Sequence, residues 1–336
     1  LDPVVTGSHL DTQPTGGKFD GVYGVLAGLE VIRTLNDHAY ETDAPVEVTV
    51  WTNEEGSRFA PSMIASGVFA GAHTEAEAHA IKDVQGKTMG EELKRIGYLG
   101  DRPCGGQKFR AFFEAHIEQG PILEAQSRTI GVVTGAQGLR WFDVTITGQE
   151  AHAGSTPMPR RRDALVGATK VIDRINAIAL ANAPYGVSTV GVMRVLPASR
   201  NTIPGSVYFS VDMRHPDDAA LARMHVALKA ALATICGELG LAHELTEVAY
   251  TKPVVFDPEC VSTVRAAAKD CGFDGLEIVS GAGHDACYIN RVAPTGMIFV
   301  PCVDGISHNE IESATPEDLA AGCDVLLRAM LGRAVL

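Results

Sequence analysis

Positive charge is scarce in this sequence of 336 residues. Lys and Arg total 28 against 41 Asp and Glu, which gives a formal net charge of −13 at pH 7. Nucleic acids and anionic membrane surfaces attract basic proteins, so this balance speaks against both as partners. We expect a small-molecule substrate or a protein partner instead.

Long apolar runs and paired cysteines are also missing. A run such as Val46 to Trp51 is far shorter than the roughly 20 residues that cross a bilayer, and no basic segment followed by an apolar one opens the chain. The seven cysteines are scattered without a Cys-x-x-Cys pair, which indicates buried thiols rather than disulfides or a structural zinc site. We therefore expect a cytoplasmic protein without a membrane span.

Two common catalytic motifs are absent. No Gly-x-Ser-x-Gly elbow or Cys-His pairing is evident, which disfavours covalent catalysis. The stretch Gly16-Gly17-Lys18 is followed by Phe19, whereas a phosphate-binding loop needs a hydroxyl group there to hold magnesium. The sequence therefore argues against a nucleotide-phosphate site.

The pattern of predicted strands and helices changes twice along this chain, which is longer than the chains that usually form a single hydrophobic core. Strands followed by helices dominate the beginning, and a β-α-β-β-α-β order begins near residue 130. After Pro253 the first pattern, strands followed by helices, returns. We predict an α/β fold in which residues 1–129 and 251–336 form an α/β/α sandwich domain. Residues 130–250 are predicted to form an inserted ferredoxin-like domain.

Histidines and acidic residues recur where the predicted strands of the sandwich domain end. They are His9, Asp20, Glu54, Glu55, His116, His284, Asp285 and His308. In an open α/β sheet, ligands bind at the carboxyl edge of the strands. Histidines with carboxylates suit zinc, manganese, cobalt or nickel, and a bridging aspartate can hold two ions roughly 3.5–4 Å apart. The pattern favours a divalent-metal site, although turn chemistry by itself also explains the aspartates and glycines of the first loop.

Glu54 and Glu55 are neighbours at the end of the predicted strand 46–52. Adjacent side chains of an extended strand point to opposite faces, so both can serve one site only where the backbone turns. Gly56 permits that turn. One glutamate would then bind metal, and the spare one could act as a general base.

The sequence resembles the carbamoyl-amino-acid amidohydrolase (hydantoinase/carbamoylase) branch of the M20 metallopeptidase superfamily. That branch contains N-carbamoyl-L-amino acid hydrolase, β-ureidopropionase and allantoate amidohydrolase. The matching motifs run from one end of the chain to the other: TGSHLDT, GGKFDG, TNEEGSRF, AHIEQG, AHAGSTPM with RRD, NTIPG, VDMRHP, SGAGHDA and GISHNE. The resemblance implies a hydrolase that cleaves the C–N bond of an N-carbamoyl amino acid.

The resemblance also implies two divalent metal ions per subunit. His9 and His116 would hold one ion, Glu55 and His308 the other, and Asp20 would bridge them. The family has a histidine at the position of His116, where peptidases and aminoacylases of the superfamily usually carry a carboxylate. This difference favours a carbamoyl substrate.

Catalytic and substrate-binding roles follow from the same resemblance. Glu54 would be the base that activates water, and Asp11 a supporting carboxylate that orients His9. Arg214 would clamp the substrate carboxylate, because a guanidinium group binds it bidentately. His152 would act catalytically by reaching the active site of the partner in a homodimer formed through the inserted lid domain. The residues implied to bind substrate are Gln119, His152, Asn201, Arg214, Gly283 and His284.

Two alternatives stay open at this point. Allantoate amidohydrolase activity would use the same metal ions with a differently shaped pocket. Members of the family also carry a further segment ahead of the TGSHLDT strand, so the second alternative is an inactive, truncated protein that binds metal or dimerises. Intact Glu54, Asp20 and His308 argue against the second alternative.

Overall fold

The computed structural model describes residues 1–335, which form two compact units. The strands, in chain order, are β1 (Val4–Ser8), β2 (Val46–Val50), β3 (Ala111–Ile117), β4 (Gly131–Ala136), β5 (Gly138–Thr147), β6 (Ala151–His152), β7 (Val187–Thr189), β8 (Met193–Leu196), β9 (Thr202–Ile203), β10 (Ser206–His215), β11 (Ala242–Thr251), β12 (Val254–Val255), β13 (Leu276–Ser280) and β14 (Thr295–Val300). The α-helices are α1 (Val22–Asp37), α2 (Ile64–Phe69), α3 (Glu75–Ala80), α4 (Met89–Ile96), α5 (Ile122–Ala125), α6 (Ala164–Leu180), α7 (Asp218–Glu238), α8 (Pro258–Asp270), α9 (Asp285–Ile289) and α10 (Pro316–Ala334). Short 3-10 helices cover Met158–Arg160 and Val303–Gly305.

The first unit consists of Leu1–Ala136 and Val255–Leu336, and the second of Gln137–Val254. The sequence places these boundaries at 130 and 250, several residues too early. The reason is β4, which pairs with β13 and β14 and therefore belongs to the sheet of the first unit. The composition of β4 resembles that of the strands that follow it, so only its pairing shows that it belongs to the first unit and not to the second.

The first unit is built on a seven-stranded sheet with the order β12-β4-β14-β3-β1-β2, in which β13 lies beside β4. The neighbours β14, β3, β1 and β2 are all parallel. Every residue of β1, β3 and β14 is buried, as expected for parallel strands covered on both faces. The loops that follow these four strands therefore emerge at one edge of the sheet.

The predicted helix ends are confirmed where capping chemistry defines them. Thr88 accepts a hydrogen bond from the Glu91 amide, the Glu91 side chain bonds back to Thr88, and α4 ends at Gly97, whose φ is +78°. The last helix begins with Thr315 as N-cap and Pro316 in its first turn. These signals are local, so the sequence alone specifies them.

One strand differs from its prediction. The sequence favours a strand over 109–113 followed by a polar loop, whereas β3 covers Ala111–Ile117. Glu114 and His116 look like loop residues because they are polar, but both are buried within the strand. They are two residues apart and therefore share one face of β3, which directs both side chains towards the same region.

The second unit has the chain order β5, α6, β7 with β8, β10, α7 and β11, and its sheet has the order β11-β5-β10-β7 with β8 beside β10. The sequence of residues 188–196 favours one strand, whereas the structure has two in this stretch, β7 and β8, which both pair with β10. Helices α6 and α7 pack against each other and against β5 and β10. The largest side chains in the resulting core include Phe142, Ile146, Phe209, Met213 and Leu228.

Among residues 1–335, α7 is the one helix long and apolar enough to cross a membrane by length and composition. Core helices of globular domains meet the same criteria. The α7 side chains Leu221, Met224, Leu228 and Leu232 are fully buried in the core of the second unit. Its apolar character is therefore explained by packing within that unit.

Candidate metal centre

The five predicted metal ligands lie close together at the carboxyl edge of the first unit's sheet. His9 and Asp20 follow β1, Glu55 follows β2, His116 lies near the end of β3, and His308 follows β14. His9, His116 and Asp20 form a first ligand group, and Asp20, Glu55 and His308 form a second. Within each group the candidate ligand atoms lie within 4.8 Å of one another. The parallel order of the four strands explains why residues about 300 positions apart meet here.

Asp20 belongs to both groups, and its two oxygens face different histidines. Oδ1 lies 3.4 Å from His9 Nε2 and 3.2 Å from His116 Nε2, whereas Oδ2 lies 3.3 Å from His308 Nε2. Burial by itself would raise the pKa of the Asp20 carboxyl. Hydrogen bonds from His116, His308 and His9 instead hold that pKa far below its usual value. Asp20 is therefore a carboxylate that belongs to both ligand groups, one oxygen facing each.

Backbone carbonyls orient the two buried histidines. His9 Nδ1 donates to the carbonyl oxygen of Asp11 at 2.8 Å, and His116 Nδ1 donates to the carbonyl oxygen of Ile117 at 2.9 Å. Because a carbonyl can only accept, each Nδ1 carries a proton, and each Nε2 faces Asp20. Nε2 is therefore the atom that could bind a cation in place of its own proton, with the ring already oriented for it.

The backbone turns between Glu54 and Glu55 as the sequence predicts, and two residues rather than one allow it. Asn53 and Gly56 both have positive φ, +62° and +67°. Glu54 Oε2 lies 3.7 Å from His9 Nε2, and Glu55 Oε2 lies 3.6 Å from His308 Nε2. The neighbouring glutamates therefore separate, with Glu54 beside the first ligand group and Glu55 in the second.

Asp11 supports this site in a different way from the one predicted. Its carboxylate was expected to orient His9, but Oδ1 lies 3.9 Å from His9 Nδ1, and the Asp11 carbonyl makes the hydrogen bond. The carboxylate instead accepts hydrogen bonds from the backbone amides of Glu54 and Glu55, both at 3.1 Å. Asp11 therefore joins the loop of His9 to the turn that carries both glutamates.

The electrostatics of the site favour positive charge. Burial would lower the pKa of His9, yet Asp20 and Glu54 raise it to about 10. Burial likewise opposes the charged form of His116, whereas Asp20 raises the pKa of both His116 and His308. The carboxylates that attract protons to these rings attract a divalent cation for the same reason.

Glu55 provides an independent test of whether a metal ion fits. Its Oε2 accepts a hydrogen bond from Gln13 at 2.6 Å, whereas its buried Oε1 has no hydrogen-bond partner among residues 1–335. A buried carboxylate oxygen without a partner is costly unless something binds it. Together with the imidazole and carboxylate donors, this oxygen fits zinc, manganese, cobalt or nickel.

Glu54 differs from its neighbour in its surroundings. Burial, followed by the charge of Asp285, raises the pKa of the Glu54 carboxyl to about 9. Glu114 and Asp285 are also fully buried nearby, and burial raises the pKa of both. A cation in the first ligand group would favour the ionised form of Glu54. The protonation of Glu54 therefore depends on the charge held in the first ligand group.

Three predicted substrate-binding residues lie in the first unit. Gln119 Nε2 donates to Asp20 Oδ2 at 2.9 Å, so this side chain touches the second ligand group. The His284 ring lies 4.6 Å from that of His116, and burial, then His116, holds the His284 pKa well below its usual value. Burial thus favours the neutral form of His284. Gly283 is exposed beside it.

The other three lie in the second unit. β6 and β9 pair, and the Ala153 amide donates to the Asn201 carbonyl at 2.8 Å, which brings His152 and Asn201 side by side. His152 Nδ1 accepts hydrogen bonds from the amides of residues 154 and 155, so its Nε2 carries the proton and can donate. Arg214, on β10, donates to Asp212 at 2.8 Å. The substrate-binding roles of all six residues stay predictions.

Sequence reasoning missed two residues of the site and left one undecided. Glu312 and Ser307 bind the loops that carry Asp20 and His308; Ser307 lies within the GISHNE motif, and no local pattern marks Glu312. Glu118 could be either a supporter of the metal ligands or a surface acid. It is buried, and its carboxylate caps α5 by accepting hydrogen bonds from the amides of Ile122 and Leu123, both at 2.8 Å.

Gly21 allows the close approach of the first loop to His9. Its φ is +69°, and a Cβ atom there would lie 2.4 Å from the His9 ring. We expect Gly21→Ala to displace the ring and to lower metal affinity by about 10–100-fold, the usual cost of losing support for a ligand. Isothermal titration calorimetry of the metal-free protein measures this change.

Gly71→Ala is the matched control for this substitution. Gly71 has nearly the same φ, +70°, but no atom within 4 Å of the added Cβ. It should share the backbone strain of roughly 1 kcal/mol without any effect on metal affinity. Equal metal affinities for the two variants would contradict the steric explanation.

Known proteins resemble this chain over almost its whole length. A family model described as peptidase family M20/M25/M40 matches residues 5–332. The chain is 54% identical over 329 residues to an N-carbamoyl-L-amino-acid amidohydrolase of Rhizobium meliloti, covering 98% of this chain and 79% of that protein. It is 34% identical over 328 residues to the allantoate amidohydrolase of Bacillus subtilis, covering 96% and 79%. The crystal structure of an amidase of the hydantoinase/carbamoylase family from Burkholderia multivorans superposes with a TM-score of 0.97 at 64% identity, covering 100% and 82%.

Proposed function

Because this chain belongs to peptidase family M20/M25/M40, we propose that it is a two-metal amidohydrolase that cleaves the C–N bond of an N-carbamoyl amino acid. The resemblance read from the motifs is thereby confirmed, and the chain is a metal-dependent hydrolase of amide bonds. The observation that carries the two-metal proposal is Asp20, whose two oxygens belong to two separate ligand groups.

The proposed metal ligands divide according to these groups. His9 and His116 would hold one ion and Glu55 and His308 the other, and Asp20 would contribute to both sites. Divalent ions bound there would polarise the carbamoyl carbonyl and lower the pKa of water at the site. The orientation of both buried imidazoles by backbone carbonyls supports this assignment.

Glu54 is the proposed general base. It is buried beside the first ligand group, makes no bond to Asp20, and has a raised pKa, so it can accept a proton and return it. Glu54 takes a proton from the water that attacks the carbamoyl carbon and delivers it to the terminal nitrogen as the bond between that nitrogen and the carbon breaks, which releases ammonia and leaves an N-carboxy amino acid. The N-carboxy amino acid then loses carbon dioxide as its remaining bond from the carbamoyl carbon to nitrogen breaks, so one water molecule yields the amino acid, ammonia and carbon dioxide.

The second unit is proposed to recognise the substrate and to form the homodimer. Its β-α-β-β-α-β order supports the assignment as a ferredoxin-like lid and dimerisation domain. His152 Nε2–H is a donor that suits the oxyanion of the transition state, and Asn201 lies next to it. Light scattering tests the dimer: the mass should be twice the 35.5 kDa of one chain.

Arg214 is the proposed clamp for the substrate carboxylate. Its pairing with Asp212 holds the guanidinium group in place before substrate arrives. We expect Arg214→Lys to raise KM roughly tenfold or more with little change in kcat, because a hydrogen bond to a charged group contributes about 1.5–3 kcal/mol. Steady-state kinetics measures both constants.

Arg194→Lys is the control for the clamp. Arg194 belongs to the same sheet but lies over the ring of Tyr208. Its replacement should leave KM unchanged. If Arg214→Lys also leaves KM unchanged, the proposed clamp is wrong.

A substrate panel tests the proposed function and its alternatives. Metal-free protein is reloaded with manganese, zinc, cobalt or nickel, and ammonia release is measured from N-carbamoyl α-amino acids, N-carbamoyl β-amino acids and allantoate. We expect the highest kcat/KM with a carbamoyl amino acid. The relationship to an allantoate amidohydrolase makes allantoate the second candidate. A protein that binds metal without hydrolysing any member of the panel would support the inactive alternative.

A further inference from the structure

We propose that Glu312 is a positioning residue that prepares the second ligand group by joining the loop of Asp20 to the loop of His308. Glu312 is 4% exposed and belongs to neither ligand group. The inference rests on the two-metal function proposed above. It adds a role for a residue to which the motifs assign none.

The first step is the attachment of the Asp20 loop. Glu312 Oε1 accepts hydrogen bonds from the backbone amides of Phe19, at 2.9 Å, and of Asp20, at 3.1 Å. Gly17 of the same loop packs so closely that a Cβ atom there would lie 2.2 Å from Oε1. The carboxylate thus sets the position of the Asp20 backbone directly.

The second step is the attachment of the His308 loop. Ser307 Oγ donates to Glu312 Oε2 at 2.8 Å, and the next residue, His308, has the unusual φ of +53°. Such a conformation persists only where its surroundings hold it. One carboxylate therefore holds two loops that lie almost 300 positions apart in the sequence.

The third step concerns the proton of Ser307. Ser307 Oγ also lies 3.2 Å from Asp20 Oδ2, but a hydroxyl group has only one proton to donate. Glu312 is the closer acceptor and takes that proton. Oδ2 thereby keeps a lone pair for a cation of the second ligand group.

The two ligand groups should depend on Glu312 to different degrees. His9 and His116 are 2% and 1% exposed and are oriented by backbone carbonyls, independently of Glu312. The His308 side chain is 49% exposed and belongs to a loop that Glu312 holds. Loss of Glu312 should therefore weaken the second site, where both Asp20 and His308 lose support, more than the first site, where only Asp20 does.

The test compares metal binding by wild type, Glu312→Ala and Glu312→Gln. Free manganese or zinc is varied in equilibrium dialysis, and bound metal per chain and thermal unfolding are recorded. Glu312→Ala should weaken the second binding step by about 10–100-fold and the first step clearly less. Glu312→Gln keeps an oxygen that accepts from the two amides, so it should lose less metal affinity at the second step than Glu312→Ala does. It should still bind that ion more weakly than wild type, because its NH₂ group cannot accept the Ser307 proton, which then turns towards Asp20.

The neighbouring Glu310→Ala is the matched control, since Glu310 is an exposed glutamate of the same loop. It should bind both ions as the wild type does. If Glu312→Ala does not fold, Glu312→Gln, which has the same size, decides the outcome.

Two results would overturn the role of Glu312: wild-type affinity at both steps, or equal weakening of both steps. Wild type that binds only one ion would instead refute the two-metal function itself.

Discussion

Replacing Asp20 with alanine is expected to remove both metal ions and with them all turnover. Asp20 Oδ1 faces His9 and His116, and Oδ2 faces His308, so the substitution takes one ligand from each group. The loss of affinity should exceed the about 10–100-fold that removal of a merely supporting partner costs. Metal content after dialysis at fixed free metal, measured by mass spectrometry, should fall from two ions per chain to none.

Asp20→Asn separates the charge of this residue from its shape. The amide has one acceptor oxygen and an NH₂ group, so it can face only one of the two ligand groups as an acceptor. It should retain at most one ion. Asp83→Asn controls for loss of a buried carboxylate, because Asp83 is bonded to Arg58 away from the ligand groups. An Asp20→Ala protein that still holds two ions would refute the bridging role.

Glu54→Gln is expected to abolish turnover while metal content and fold stay intact. Gln has nearly the same size, but it cannot accept the proton of the attacking water. Loss of a general base should lower kcat by about 10²–10⁴-fold. Because Glu54 belongs to neither ligand group among residues 1–335, KM and the amount of bound metal should change little. Single-turnover kinetics and metal analysis measure the two effects separately.

Glu118→Gln is the matched control for the base. Glu118 has the same 7% exposure as Glu54, but its carboxylate caps α5. Its replacement should cost about 1 kcal/mol of stability and leave kcat unchanged. Substantial residual turnover in Glu54→Gln would mean that another group accepts the proton.

The fold could be predicted where local chemistry defines an element. The capping residues Thr88 and Thr315 predict the starts of two helices, and the structure contains both. Prediction failed where pairing decides: β4 joins the first unit through β13 and β14, and β3 extends through Glu114 and His116 although both are polar. A buried central strand tolerates polar residues only when distant partners bind them, and a sequence does not display those partners.

The sequence by itself determined the family, the types of ligand and the loops that carry them, because each motif is a short stretch whose chemistry is local. Only the tertiary structure decided which of the predicted metal ligands belong to the first ligand group and which to the second. It showed that the oxygens of Asp20 face different histidines, that the carbonyl of Asp11 orients His9, and that Glu312 binds the Asp20 loop across 292 positions. The physical reason is that such contacts depend on the order of parallel strands, which brings remote loops to one edge of the sheet.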